Sequence, residues 1–193
     1  MNSSFAIDID SDLIYRIQAG DNQAFKTIYN AFEKPAYTLA LRFCQNPDTA
    51  RDILQESMLS VFRNIDQFRF EAPFWSWVRK IVINTALMNI RSNRKNDGLE
   101  ILVDDVAQVG PDRPAMRRDL ATAFAMLAPT RRAVLWLYAV EGYTHQEIGD
   151  LMDRTPSFSK SQLMRARRQL KQWWAAADAV TAAPPGEESD ERH

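Results

Sequence analysis

The sequence predicts an all-α protein built of two small helical domains joined by an acidic linker. Apolar residues recur at i, i+3 and i+4 through most of 10–95 and 115–177, the period of a helix with one buried face. No stretch shows the apolar–polar alternation of a half-buried strand. Between the two helical regions, residues 96–114 (NDGLEILVDDVAQVGPDRP) lose the rhythm, with Gly98, Gly110, Pro111 and Pro114 set among Asp97, Glu100, Asp104, Asp105 and Asp112. At 193 residues, 46% of them hydrophobic, the chain is long enough to bury a core in each half.

Taken in order, 11–19 and 21–33 form short amphipathic helices separated by Gly20, with Asp21 capping the second. A third covers 36–44, and Asn46-Pro47 opens a fourth, proline being suited to the first helical position. Its apolar side runs through Ala50, Ile53, Leu54, Ser57, Met58, Val61, Phe62 and Ile65. The fifth, 73–95, is PFWSWVRKIVINTALMNIRSNRK, which carries two tryptophans, five basic residues and no acid. On a helix Trp75 and Trp77 point roughly 200° apart. The expectation puts Trp77 in the core with Phe74, Val78, Ile81 and Met88, and Trp75 outside beside Arg79 and Lys80.

In the second region Pro129 starts a helix and Gly142 closes it. Thr144 and Glu147 fit a capping box, with His145 facing solvent. After Asp153-Arg154-Thr155-Pro156, Ser157 caps a longer helix rich in Lys160, Arg165, Arg167, Arg168 and Lys171, on which Trp173 and Trp174 close the core. Short helix, turn and long helix fit a DNA-reading helix-turn-helix and equally an αα-hairpin with a basic solvated face. The tail, 178–193, reads as disordered and acidic.

Composition excludes several classes. A Gly-rich phosphate loop and metal-ligand spacing are both missing, and His145 and His193 are the only histidines, so no catalytic residue, metal or cofactor is expected. No apolar run approaches the roughly 20 residues that span a bilayer, so no membrane insertion is expected. The first residues, MNSSFAIDIDSD, do not read as a signal peptide. Cys44, the single cysteine, suits a core position and a reducing cytoplasm. The formal net charge of −1 hides two segregated basic helices.

Over about 12–175 the chain resembles the extracytoplasmic-function (ECF) type of sigma-70 factor, the small promoter-recognition subunits of bacterial RNA polymerase. DTARDILQESMLSVFRNIDQFR is similar to region 2.2, which binds core polymerase; the resemblance implies that Asp48, Asp52, Gln55, Glu56 and Leu59 make that contact. FWSWVRKIVINTALMNIRSNRK is similar to regions 2.3 and 2.4, implying that Trp75, Arg79, Lys80, Asn84, Arg91, Arg94 and Lys95 handle the melted −10 element. LAPTRRAVLWLYAVEGYTHQEIGDLM and SKSQLMRARRQLK are similar to region 4, implying that Ser159, Lys160, Ser161, Gln162, Arg165, Arg167 and Arg168 meet the duplex −35 element. The implied organisation is region 2 at 10–95, a linker at 96–114, region 4 at 115–177 and a tail. Its implied partners are core polymerase, promoter DNA and, as controller, an anti-sigma factor or a Ser/Thr kinase.

The chain departs from the family pattern in three places. Thr49 and Arg51 stand where many relatives carry acids, which makes Thr49, and after it Ser57, a candidate phosphorylation switch. Phe70-Glu71-Ala72-Pro73 lacks the glycine common in region 2.3. Ser157-Phe158-Ser159 replaces a Gly-Thr-Val step, and Gln162 favours adenine over guanine. The rival reading is a stand-alone dimeric helix-turn-helix regulator, which leaves the tryptophan-bearing basic helix without a purpose. A decoy that binds only protein would not need the cations at 79–95 and 160–171.

Overall fold

The computed structural model describes residues 9–96 and 120–182, and every regular element among them is helical. The expected linker lies almost entirely outside the described residues, as does most of the expected tail. The chain divides into two compact units, the first holding α1–α4 and the second α5, α6, α8 and most of α7.

In the first unit, α1 (Ser11–Gln18) is capped by Asp10 and ends before Gly20, which turns at φ +91°. Asp21 then caps α2 (Asn22–Cys44), accepting from the amides of Gln23 and Ala24 at 2.8 and 3.1 Å. The two helices expected at 21–33 and 36–44 are one. Pro35 sits inside it, buried, and a prolyl ring costs about 3 kcal/mol in a helix interior. The apolar stripe Ala24, Ile28, Phe32, Pro35, Leu39, Phe43 passes through the proline without changing phase, so packing outweighs the lost hydrogen bond.

Asn46 caps α3 (Pro47–Arg63), accepting from the amides of Asp48 and Thr49 at 2.9 Å each. A 3-10 turn (Ile65–Gln67) and a loop lead to α4 (Phe74–Asn96). In that loop Phe70 adopts φ +58°, the left-handed conformation that glycine takes freely.

The α4 expectation needs correction. Trp75 is only 7% exposed and stacks flat on Phe32, with ring centroids 5.5 Å apart and planes 2° from parallel. The buried positions are Phe74, Trp75, Val78, Val82, Ile83, Ala86, Leu87 and Ile90. Trp77 is half-buried and Met88 is 65% exposed. In the first three turns of α4 Trp75 and Trp77 border opposite edges of the apolar side, so periodicity alone left open which of them is buried. The flat ring of Phe32 sets it.

In the second unit, α5 (Leu120–Ala125) is followed by α6 (Pro129–Ala139), which Pro129 opens as expected. Arg132 is buried and donates to the carbonyl of Leu127 at 3.0 Å, and Gln169 donates to that of Met126 at 3.0 Å, so α5's end is tied to α6 and α8. α7 (His145–Met152) begins at the expected capping box: the Glu147 amide donates to Thr144 Oγ1 at 3.2 Å, and the Thr144 amide donates to Glu147 Oε2 at 2.7 Å. α8 runs from Pro156 to Ala182, past the expected boundary at 177.

Candidate nucleic-acid interface

The outer face of α3 collects the residues expected to dock on polymerase. Asp48, Asp52, Gln55 and Glu56 are exposed, one helical face apart from the buried Ala50, Ile53, Leu54, Met58 and Val61. Leu59 is 48% exposed among them, and next to it Phe62 meets Phe25 edge-on at 4.8 Å. Arg51 donates to Asp48 at 3.0 Å, so one of the acids on this face already has a cation beside it. Thr49 is half-buried on the first turn. Ser57 fails as a second modification candidate: it is fully buried and its hydroxyl donates to the carbonyl of Ile53 at 2.6 Å.

On α4 the expected aromatic contact moves by two residues. Trp75 lies beneath the surface against Phe32 and offers no open face. Trp77 instead walls a hollow of about 180 Å³ with Gln67, Phe68, Arg69, Glu71, Ala72, Ser76 and Lys80. From Trp77 a single stripe continues along the helix through Lys80, Asn84, Met88 and Arg91, the spacing of one face. Lys80 and Asn84 are exposed as expected. Arg79 is half-buried and off this stripe, and Arg94 and Lys95 fall on the last turn. Sequence reasoning missed Gln67 and Arg69 because the segment preceding α4 has no periodicity, and Ser76 because a small polar residue on the first turn of α4 gives no signal of its own. The cations Arg69 and Lys80 on either side of Phe70, Phe74, Trp75 and Trp77 were the usable signal.

The helix-turn-helix is assembled by backbone geometry. Asp153 turns at φ +53°, and Gly149 lets the turn close, since a Cβ there would meet the carbonyl oxygen of Arg154 at 2.7 Å. Thr155, not Ser157, caps α8: its hydroxyl accepts from the amide of Phe158 at 3.3 Å. Lys160, Arg167 and Arg168 are exposed, while Ser161, Gln162 and Arg165 are half-buried; Ser161 donates to the carbonyl of Phe158 at 2.8 Å.

Ser159 departs from expectation. It is fully buried, with Oγ 3.0 Å from Nδ1 of His145, and so cannot reach a base. His145 is likewise not a solvent-facing residue, since its ring stacks on Tyr138 with centroids 4.6 Å apart. The Arg167 guanidinium lies 5.7 Å from the centre of the Tyr138 ring. The polar pair His145–Ser159 therefore joins α7 to α8, because a hydroxyl inside a core needs a partner and the imidazole supplies one.

Two segments of this chain match family descriptions in the order these surfaces occur: Sigma-70 region 2 over 28–96 and Sigma-70 region 4 over 117–170. The ECF RNA polymerase sigma-E factor of Haemophilus influenzae is 26% identical over 177 residues, spanning 84% of this chain and 93% of the relative. The RNA polymerase sigma-H factor of Pseudomonas aeruginosa is 25% identical over 177 residues, spanning 83% and 91%. A solved structure, the sigma factor RpoE of Bartonella quintana in complex with the anti-sigma factor NepR, is similar with a TM-score of 0.49 and 19% identity, over 77% of this chain and 94% of that one. With both regions matched in series and relatives aligned along nearly their whole length, the chain belongs to the sigma-70 family, in its extracytoplasmic-function subfamily.

Proposed function

We propose that this chain is an alternative sigma factor that directs bacterial RNA polymerase to particular promoters. In this reading Asp48, Asp52, Gln55, Glu56 and Leu59 of α3 dock on core polymerase. The stripe Trp77–Lys80–Asn84–Arg91, with Arg79, Arg94 and Lys95 beside it, holds the melted −10 strand. Lys160, Gln162, Arg167 and Arg168 meet the −35 duplex, with Ser161 and Arg165 closer to the helix surface. The chain performs no chemistry of its own; it recognises DNA and captures a strand, and polymerase makes the bonds.

The observation that carries this reading is the aromatic-walled hollow beside Lys80. A base turned out of the duplex needs a ring to stack on and cations to hold its backbone, and stacking is worth about 1–3 kcal/mol per base. Trp77 and Phe68 supply rings, and Arg69 and Lys80 supply charge. Duplex-only regulators have no use for such a hollow, and the region 2 match covers the helix that builds it. No helix among the described residues is long and apolar enough to cross a membrane.

Control through Thr49 is a second element of the proposal, favoured by the pairing of Asp48 with Arg51. A phosphate on Thr49 adds about −1.5 to −2 charges near a helix N-terminus, where anions are favoured. It would restore the negative face that Arg51 offsets. One experiment addresses both: tagged protein and its Thr49→Ala variant are recovered from the native cell, bound core polymerase is quantified, and transcript starts are mapped after overexpression. Wild-type protein should bring down core polymerase and open a defined set of start sites, and Thr49→Ala should bring down several-fold less. Absence of both core and new start sites refutes the sigma reading, whereas equal recovery by the two forms removes only the switch.

A further inference from the structure

We infer that α1, which lies before the matched region 2 segment, is a positioning element for the strand-capture hollow, and that Tyr15 acts through Phe70. The inference rests on the proposed role of the hollow and deepens it by naming what holds its shape. Two interactions join α1 to the segment that precedes α4. Gln18 Nε2 donates to the carbonyl of Ile65 at 3.0 Å, at the start of the 3-10 turn. Three residues earlier on the same helix, Tyr15 lies against Phe70, with ring centroids 4.9 Å apart and planes tilted by 32°.

Phe70 is the residue that needs holding. Its φ of +58° is open to glycine, but for a residue with a bulky side chain it is a true outlier. Left alone, such a backbone relaxes into the β or right-handed region and carries its neighbours with it. Here the ring of Phe70 is pinned between Tyr15 and Phe68, the second pair also at 4.9 Å. Phe68 in turn packs against Trp77 at 5.6 Å, and both rings wall the hollow. The packing runs Tyr15, Phe70, Phe68, Trp77. It leads from an otherwise unexplained tyrosine, 58% exposed, to the aromatic wall of the proposed capture site.

The burial pattern separates this role from a merely structural one. α1 is anchored in the core by Ile14 and Ile17, which are nearly fully buried. Tyr15 contributes little to that anchoring, so its ring is available for the loop. Removing it should free the loop and leave the helix docked.

The test uses the full-length chain, alone and assembled with core polymerase, as wild type, Tyr15→Ala, Tyr15→Phe, Phe70→Gly and the double variant Tyr15→Ala/Phe70→Gly. In free protein, hydrogen exchange of the amides at 67–72 should be faster in Tyr15→Ala and near wild type in Tyr15→Phe, with α2 and α3 unchanged. In holoenzyme, Tyr15→Ala should weaken capture of a single-stranded −10 oligonucleotide about two- to tenfold, the range expected for one aromatic pair. Binding to core polymerase and to −35 duplex should stay within about twofold, and Tyr15→Phe should restore capture. Because glycine takes φ +58° without strain, Tyr15→Ala should cost nothing further in the Phe70→Gly background. The inference is overturned if exchange at 67–72 does not change, if capture falls in step with core binding, or if the two substitutions add independently. Should wild-type holoenzyme capture no −10 strand, the proposed function fails, and the exchange measurement on free protein still decides whether Tyr15 holds the loop.

Discussion

At the scale of single residues, two tryptophans two positions apart differ in what surrounds them. Trp75 stacks flat on Phe32, and Phe74 approaches the same ring at 5.6 Å. Truncating a buried aromatic costs about 3–5 kcal/mol, a large part of a domain's roughly 5–15 kcal/mol. Trp75→Ala should therefore lower the urea midpoint of the first unit severely and reduce core binding, −10 capture and expression together. Trp77 is half-buried at the hollow's wall. Trp77→Ala should leave folding and core binding close to wild type and weaken single-stranded −10 binding by about 1–3 kcal/mol, the worth of one stacked base. Urea titration read by circular dichroism, set beside oligonucleotide binding to holoenzyme, checks the pair. If the two phenotypes are exchanged, the assignment of the inner and outer ring is wrong. His145 on α7 and Ser159 on α8 show the same division: the buried Ser159 hydroxyl pairs with the half-buried imidazole and ties the two helices, and the exposed Lys160 beside it can face DNA.

At the scale of elements, the angle between α7 and α8 depends on a turn with no spare room. A Cβ on Gly149 would lie 2.7 Å from the backbone oxygen of Arg154 and 3.2 Å from the nitrogen of Pro156, neither of which can swing aside. Gly149→Ala should thus open the turn, cost about 1–3 kcal/mol as an overpacked substitution does, and lower −35 duplex binding with −10 capture unchanged. Equal loss of both activities would show that the effect is not confined to the recognition helix. The same elements show what could be read before the fold was known. Caps and breakers are local, so Asp21, Asn46-Pro47, Pro129 and the Thr144–Glu147 box marked helix starts correctly from a few residues each. The phase of α4, the continuity of α2 through Pro35 and the burial of Ser159 depend on partners distant in sequence, and spacing carries no record of them. The exposure of Lys80, Asn84, Lys160, Arg167 and Arg168 was legible because long or charged polar side chains favour the solvated side of a helix, whereas Arg79, Gln162 and Arg165 are half-buried. The hollow was not, since it forms where a loop holding a left-handed residue, Phe70, meets the first turns of α4.

At the scale of the whole molecule, a chain with a net charge of −1 cannot hold DNA through its overall field. Two helices instead carry cations without acids among them: no acid occurs anywhere in α4 (Phe74–Asn96), and on α8 none precedes Asp178. Each patch alone can neutralise only a few phosphates, and each phosphate neutralised adds about 0.9 to the steepness with which log affinity falls against log salt. Joined through polymerase, the second patch binds at a high effective concentration once the first has landed, so avidity appears although neither surface changes. Free protein should accordingly bind promoter duplex only weakly at physiological salt, and holoenzyme at least about a hundredfold more tightly. Within the holoenzyme, replacing Lys160, Arg167 and Arg168 together with alanine should flatten the salt dependence of promoter binding by up to about 2.7. The same replacement should leave binding to a single-stranded −10 oligonucleotide unchanged, because the proposed function gives that strand to α4. Filter binding across a salt series reads both quantities. An unchanged slope would mean that α8's exposed cations do not touch the backbone, and nanomolar binding by free protein would mean that the two patches do not need polymerase to align them.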